Sequence, residues 1–281
     1  MTIDAPRRAP ERRSSLQTGL SAFGRWCGRR GVELWLPVAL LLVWFLLSRG
    51  STDVFLPPLT DILGSLREDF LTSAVLTNLL PSLGRLLLGL GLAVLLGVAV
   101  GYVVGLTRTA RTMLLPVLDI FRSTPVVALI PVFIALFGIG SFSEILLIAW
   151  AAFWPILLGT VAGVAAVDTG FRDTATALRM SWRQKLVMVR LPAAAPHVFA
   201  GINLAVSISV TAMVAIELFT ASHGLGRYLA LSKIGFDMTA AYAGALAAGC
   251  VGFGAAKLFS ALERNVFMKW HHERGERADD V

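Results

Sequence analysis

Six long apolar stretches set the limits on how this chain can fold: residues 34–48, 80–106, 113–138, 142–167, 198–219 and 239–261. A helix crossing the hydrocarbon of a bilayer needs about 20 such residues, and a water-soluble domain of this size has no core large enough to hide six of them. Composition agrees: 56% of the 281 residues are hydrophobic and only 15% charged, against about 25% charged in ordinary globular chains. The net charge of +7 therefore rides on a membrane body. A nucleic-acid binder would pair its basic excess with a polar one, so no nucleic-acid partner is expected. The prediction is an all-α integral membrane protein of six spans surrounded by lipid. Only Gly138-Ile139-Gly140-Ser141 separates the third and fourth stretches, which predicts a helical hairpin.

The chain carries little catalytic chemistry. Its two cysteines, Cys27 and Cys250, form no CxxC pair, and its four histidines, His197, His223, His271 and His272, form no metal-binding spacing. His271-His272 reads as a solvated pair. A phosphate-cradling GxxxxGK[ST] loop is missing, as is GxSxG, so ATP hydrolysis by this chain is not expected. No metal ligand and no catalytic residue is predicted.

Basic residues decide the orientation. Residues 1–31 hold seven arginines, two more lie between the second and third stretches, five between the fourth and fifth, and four after the sixth. The alternate segments hold Arg49, Arg67, Arg227 and Lys233, a bias of 18 to 4 that places both termini in the cytoplasm. Arg12-Arg13-Ser14-Ser15-Leu16-Gln17 resembles a twin-arginine export signal. No apolar core with a small-residue cleavage site follows closely, and 1–31 reads as a retained cytoplasmic tail. The body is expected over 32–265, with a C-terminal tail over 266–281. Trp26, Trp35 and Trp270 beside basic residues read as interface anchors.

Small residues recur at every fourth position in two spans, as Gly89, Ala93, Gly97, Gly101 and Gly105 and again as Gly244, Ala248, Gly252, Ala256 and Ser260. Such stripes let helix backbones approach closely where lipid gives no hydrophobic drive to association.

One cytoplasmic connection is far longer than a hairpin needs. Residues 168–192 number 25, where about 2–8 would join two helices of a bundle. Asp173-Thr174-Ala175-Thr176-Ala177-Leu178 reads as a short helix with an acid at its positive end. Ser181 and Gln184 have capping-box spacing. Trp182, Leu186 and Val189 then give a second short helix one apolar face, and Leu191-Pro192 is expected to end it. An apolar face in that position calls for a partner.

Asp173-Thr174-Ala175, then Arg179 after three residues, then Val189-Arg190-Leu191-Pro192 after nine more resembles the signature loop of permease subunits of binding-protein-dependent ABC importers. The likeness extends to Arg122-Ser123-Thr124-Pro125, Pro131, Phe137-Gly138-Ile139-Gly140, Glu217 and Gly224-Leu225-Gly226, and is greatest to the nitrate, sulfonate, taurine and bicarbonate branch. The resemblance implies a type I importer transmembrane domain in a bacterial cytoplasmic (inner) membrane, a second permease copy, two cytoplasmic ATPase subunits that bind ATP and Mg, and an extracytoplasmic solute-binding protein that sets most of the selectivity. The substrate implied is a small solute such as a sulfonate or nitrate. It implies that Asp173, Ala175, Leu178, Arg179, Ser181, Val189, Leu191 and Pro192 couple to the ATPase, with no cofactor on this chain.

Arg179 stands where that family has glycine. Arginine is a good helix former whose charge suits a helix C-terminus, so the first short helix is expected to run past it and turn at Met180-Ser181.

Ionisable residues within the apolar stretches are Arg85, Asp119, Arg122, Glu144, Glu217 and Lys257. Arg85, Glu144 and Lys257 lie near span ends and read as interface anchors. Arg122 and Glu217 are candidates for a pathway or gate, or for structural ion pairing. Asn203 and Ser207, with Ser209 and Thr211, are candidate polar lining, unless the hydroxyls bond their own helix. The alternative from another class is an ion- or proton-coupled secondary transporter, which requires midplane carboxylates and broken helices in repeated halves and leaves the long loop unexplained.

Overall fold

The computed structural model describes residues 35–275 apart from 37, 52, 71–74, 167–173, 176 and 221–222; side chains are described up to residue 265, those of 75 and 76 excepted. All regular structure among these residues is helical. The described residues up to 60 and those from 61 onward form separate compact units. In the first, α1 (Val38–Ser48) is a short apolar helix, and the Arg49 guanidinium lies over the Phe45 ring at 5.7 Å. Then come α2 (Leu59–Phe70), α3 (Leu80–Gly105), α4 (Arg108–Arg122), α5 (Val126–Phe137) and α6 (Ser141–Ala165), followed by α7 (Leu191–Thr220), α8 (Leu225–Ile234) and α9 (Met238–Gly275). The backbone of α9 continues ten residues beyond the expected edge of the body at 265. Helices α2 and α8 lie outside the six apolar stretches.

Among the described residues, four helical segments are long and apolar enough to cross a bilayer: Thr77–Gly105, Ser141–Ala165, Trp182–Thr220 and Met238–Asn265. A fifth crossing results if α4 and α5 count together, yet they are bent by 89°. This corrects the expectation of one continuous span over 113–138. Pro125 cannot donate a backbone hydrogen bond, and its ring drives Thr124 out of the helical region. The chain therefore restarts as α5 with Pro125 at the N-cap. Gly138 and Gly140, at φ 81° and 146°, then close the expected hairpin, and the Ser143 hydroxyl lies 2.8 and 2.9 Å from their carbonyls.

Helix α6 is the centre of the second unit, packed along its length on α3 on one side and α7 on the other. The α3 stripe makes the first contact possible. A Cβ at Gly89, Gly97 or Gly105 would come within 3.0 Å of Ile148, Ile156 or Val164, all on α6. The second contact uses a stripe absent from the expectations: a Cβ at Gly159 would meet the His197 carbonyl at 2.7 Å, and one at Gly201 the Pro155 carbonyl at 2.7 Å. Between these close approaches Leu147, Ile148, Ile156, Leu157, Met213 and Ile216 are fully buried. On α9, Gly244 packs tightly on Tyr228 and Leu229 of α8, whereas Gly252 makes ordinary contact with Val210.

Two π-helical segments, Val75–Leu79 and Lys185–Arg190, each run directly into a Leu-Pro pair, Leu80-Pro81 and Leu191-Pro192. A proline ring inside an α-helix collides with the carbonyl four residues back. Widening the register by one residue makes room for it. Hence Pro192 does not end the helix as expected, and Trp182–Thr220 is one continuous helix of 39 residues.

Candidate functional sites

The turn that carries the loop motif is closed by backbone. Leu178 N–H donates to the Thr174 carbonyl at 2.9 Å, and Met180 N–H to the Ala175 carbonyl at 3.1 Å. Between them Arg179 has φ 51°, the left-handed residue of a Schellman-type helix end. The expectation that the helix runs on past Arg179 is thus incorrect. The backbone bond from Met180 to Ala175 outweighs the cost of a left-handed L-residue, about 1–2 kcal/mol. Ser181 then starts the next helix with the expected capping box: its hydroxyl accepts from Gln184 N–H at 3.4 Å and Gln184 Oε1 accepts from Ser181 N–H at 2.8 Å.

Around this turn the apolar side chains divide. Ala175 is buried, and Leu186 packs with Leu191 against Tyr102, Val164 and Ala194. Val189, Leu191 and Pro192 are half-buried. Leu178 and Trp182, by contrast, are 70% and 63% exposed, and Val187 and Met188 are also exposed. The anticipated single face of Trp182, Leu186 and Val189 is therefore split, Leu186 turning into the bundle. Asp173 lies outside the described residues.

A second constellation joins α3, α6 and α7. Arg85, 7% exposed in its side chain, sits between two carboxylates: Nε is 2.7 Å from Glu144 Oε2 and Nη1 2.8 Å from Glu217 Oε1, with Glu144 and Glu217 1% and 0% exposed. The Nε hydrogen is aligned with Ser141 Oγ at 3.1 Å, so the Glu144 contact is an ion pair rather than a hydrogen bond. Nη1 also donates to the His223 carbonyl at 2.9 Å. Glu217 Oε2 accepts from Ser82 Oγ at 2.7 Å and from Gly226 N–H at 2.9 Å, which places a carboxylate at the positive end of α8. Thr220 Oγ1 is 3.1 Å from Glu144 Oε1. Gly224 adopts φ 126° beside the cluster, where a Cβ would lie 2.7 Å from Glu217 Oε2 and Ser82 Oγ. Arg85 and Glu144 are thus interior charges and not the interface anchors expected of them.

Arg122 is elsewhere. It forms an exposed pair with Asp119 at 2.7 Å at the end of α4. Beside it a cavity of about 610 Å³ lies between the α4–α5 break, α6 and α7, lined among others by Arg122, Thr124, Trp150, Trp154, His197 and Leu204. Arg122 and Glu217 are therefore not brought together. Asn203 and Ser207 are exposed on α7 beside the cavity residues Leu204 and Ile208. The Ser209 and Thr211 hydroxyls bond carbonyls of their own helix, Val206 at 2.9 Å and Ser207 at 3.2 Å.

The described residues thus form a helical, apolar body with a buried ion cluster, a capped turn and a cavity at a broken helix pair. The chain belongs to the family described as binding-protein-dependent transport system inner membrane component, which matches residues 89–268. It is 35% identical to the taurine transport system permease protein TauC of Escherichia coli, over 72% of this chain and 77% of that one. It is 31% identical to the nitrate import permease protein NrtB of Synechococcus elongatus over 54% of each, and 34% identical to the bicarbonate transport system permease protein CmpB of the same organism over 50% of each. Among solved structures, a chain of the MetNI methionine ABC transporter in inward-facing conformations superimposes with a TM-score of 0.53 at 19% identity, covering 66% of this chain and 94% of that one. That similarity establishes the type I ABC permease fold.

Proposed function

We propose that this chain is the permease subunit of an ATP-driven importer of a small solute such as a sulfonate or nitrate. Two permease copies would form the pathway, two cytoplasmic ATPase subunits would bind ATP and Mg, and an extracytoplasmic protein would deliver the solute. The body over 32–265 would cross the membrane six times, with the tails 1–31 and 266–281 and the loop 168–192 on the cytoplasmic side. The observation that carries this reading is the capped turn at Arg179-Ser181 with Leu178, Trp182 and Met188 exposed around it. A stiff corner bearing uncovered apolar side chains is suited to a groove on a partner. Family membership supports the importer over ion- or proton-coupled transport.

Within this reading Arg122, Asn203 and Ser207 belong to the pathway. Glu217 acts as one of the three charges of the ion cluster that holds α8 on α3 and α7. Asp173, Ala175, Leu178, Arg179 and Ser181 form the coupling corner, and Val189, Leu191 and Pro192 tie it to α7.

Leu178→Asp tests the assignment. Burying that carboxylate in a contact costs several kcal/mol, so ATPase binding and transport-linked hydrolysis are expected to fall below detection while the chain still inserts. Unchanged coupling in this variant, or ATP hydrolysis by the purified chain alone, refutes the division of labour.

A further inference from the structure

The charges of the buried cluster do not balance. Two carboxyl groups, Glu144 and Glu217, 1% and 0% exposed, face the one guanidinium of Arg85. Of the elements around Glu144, α3 brings Arg85 and α7 brings Glu217. The segment before α8 brings His223, whose carbonyl accepts from Arg85, and α5 carries no ionisable residue. Asp119 and Arg122, at the end of α4, pair with each other. An excess negative charge is costly in a dry site, where a carboxylate without a counter-charge takes a proton instead. The hydrogen bonds say which one. Glu217 accepts from three donors, Arg85 Nη1, Ser82 Oγ and Gly226 N–H. Glu144 Oε2 is buried with no hydrogen-bond partner, and Oε1 faces Thr220 Oγ1 at 3.1 Å. That hydroxyl has a single hydrogen, and the Ile216 carbonyl lies closer to it, at 2.9 Å, in the back-bond usual for a threonine within a helix. With the hydrogen given to Ile216, Glu144 Oε1 and Thr220 Oγ1 are two acceptors face to face unless the carboxyl brings a hydrogen of its own.

We propose that the cluster is a proton-binding site: Glu144 Oε1 takes up one proton and donates it to Thr220 Oγ1, which donates in turn to the Ile216 carbonyl. One guanidinium then balances one carboxylate, that of Glu217, to which α8 is tied through Gly226 N–H. Release of the proton sets a second negative charge in the same site and draws Arg85 between the two. Proton occupancy thus sets how firmly α8 is held. The inference goes beyond the importer reading and does not depend on it.

The test uses the full-length chain in detergent at neutral pH and infrared spectroscopy of the C=O stretch of a protonated carboxyl. A band that shifts in heavy water and is missing from Glu144→Gln is expected. Thr220→Val, which takes away the acceptor, should shift the band. Thr220→Ser, which keeps the hydroxyl, and Ser82→Ala, whose hydroxyl serves Glu217, should leave it in place. Thermal stability gives a second readout. In the unfolded chain Glu144 is an ordinary carboxylate, ionised above about pH 4.3, so the folded chain holds one proton more. That gain is present at low pH and is lost as pH rises, by up to ~10-fold in the unfolding constant per pH unit. Between about pH 6 and pH 8 the wild-type midpoint should therefore fall, relative to Glu144→Gln, by up to roughly 3–5 °C per unit. His223→Gln should keep the wild-type fall. Should Glu144→Gln fail to assemble, Thr220→Val against Thr220→Ser decides on the wild-type band. The proposal is overturned by the lack of a band that separates wild type from Glu144→Gln, or by a band that moves in Ser82→Ala and not in Thr220→Val. Parallel pH curves for wild type and Glu144→Gln, or a fall abolished by His223→Gln, overturn it as well. Neither readout needs ATP or a partner, so failure here leaves the importer reading standing.

Discussion

Arg85→Met should destabilise this protein as much as the largest single losses of packing in its core. The guanidinium is the positive group that pairs with both Glu144 and Glu217, and its removal deletes the 2.8 Å bond to Glu217, the 2.9 Å bond to the His223 carbonyl and the 3.1 Å bond to Ser141. Two carboxylates, each no more than 1% exposed, are then left without that counter-charge. Taking one partner from a buried pair costs about 3–5 kcal/mol, against a typical total of ~5–15 kcal/mol. At roughly 2–4 °C per kcal/mol for a chain of this size, the midpoint for loss of monodisperse protein on heating in detergent should fall by about 6–20 °C. The triple variant Arg85→Met, Glu144→Gln, Glu217→Gln removes all three charges together, and the amide oxygen introduced by Glu217→Gln can still accept from Gly226 N–H. It should recover at least half of the loss, because a neutral replacement of a buried ion group is far cheaper than a broken one. A midpoint for Arg85→Met within about 2 °C of wild type, or a triple variant no more stable than the single one, would refute the argument.

Two further outcomes concern the loop. After Cys27 and Cys250 are replaced, a cysteine at position 183 should resist a membrane-impermeant thiol reagent applied to intact cells and one at position 235 should react, since the basic bias puts 183 inside; labelling at 183 reverses the orientation. Arg179→Gly should stabilise the turn by about 1 kcal/mol, because φ 51° costs glycine nothing, with transport kept within a few-fold; loss of ATPase binding with normal insertion would instead give the guanidinium a direct contact on the partner.

Most of the helical body was legible because long apolar runs and small-residue stripes are direct consequences of the bilayer. What escaped was pairwise. Arg85 and Glu144 were visible as charges near span ends and Glu217 as a pathway, gate or ion-pair candidate, yet only their shared depth identifies them as one group: residue 85 lies early in α3, 144 early in α6 and 217 late in α7, and α3 and α6 run parallel with α7 antiparallel to both. Read singly, each of the first two has a bland explanation at the interface. The break at Pro125 was hidden for a different reason. Apolar sequence continues on both sides of it, so hydropathy alone joins α4 to α5, and the cavity at the break could not be anticipated. Pro192 misled in the opposite sense, because proline as a helix terminator assumes the α register, which Lys185–Arg190 abandons. At Arg179 local propensity favoured a longer helix, and a backbone bond reaching back to Ala175 overrode it.

The continuity from Trp182 to Thr220 bears on how force would reach the pathway. Thirty-nine residues of helix extend about 58 Å, well beyond the ~30 Å of hydrocarbon, so the second half of the loop is the projecting end of a spanning helix and not a separate lever. The same helix carries His197 and Leu204 at the cavity and Glu217 in the ion cluster. Bending along it is easiest at the π-helical turn and at Pro196, where the hydrogen-bond ladder is interrupted. Leu186 and Leu191 are packed on Tyr102, Val164 and Ala194, which braces the π-helical turn against the bundle. On the proposed importer reading, a push at Trp182 would be passed along α7, and the Arg85 cluster at the other end would oppose it. On the same reading the strength of that cluster would set how far α7 can shift before α8 is released. Weakening it should uncouple hydrolysis from transport before it unfolds the protein.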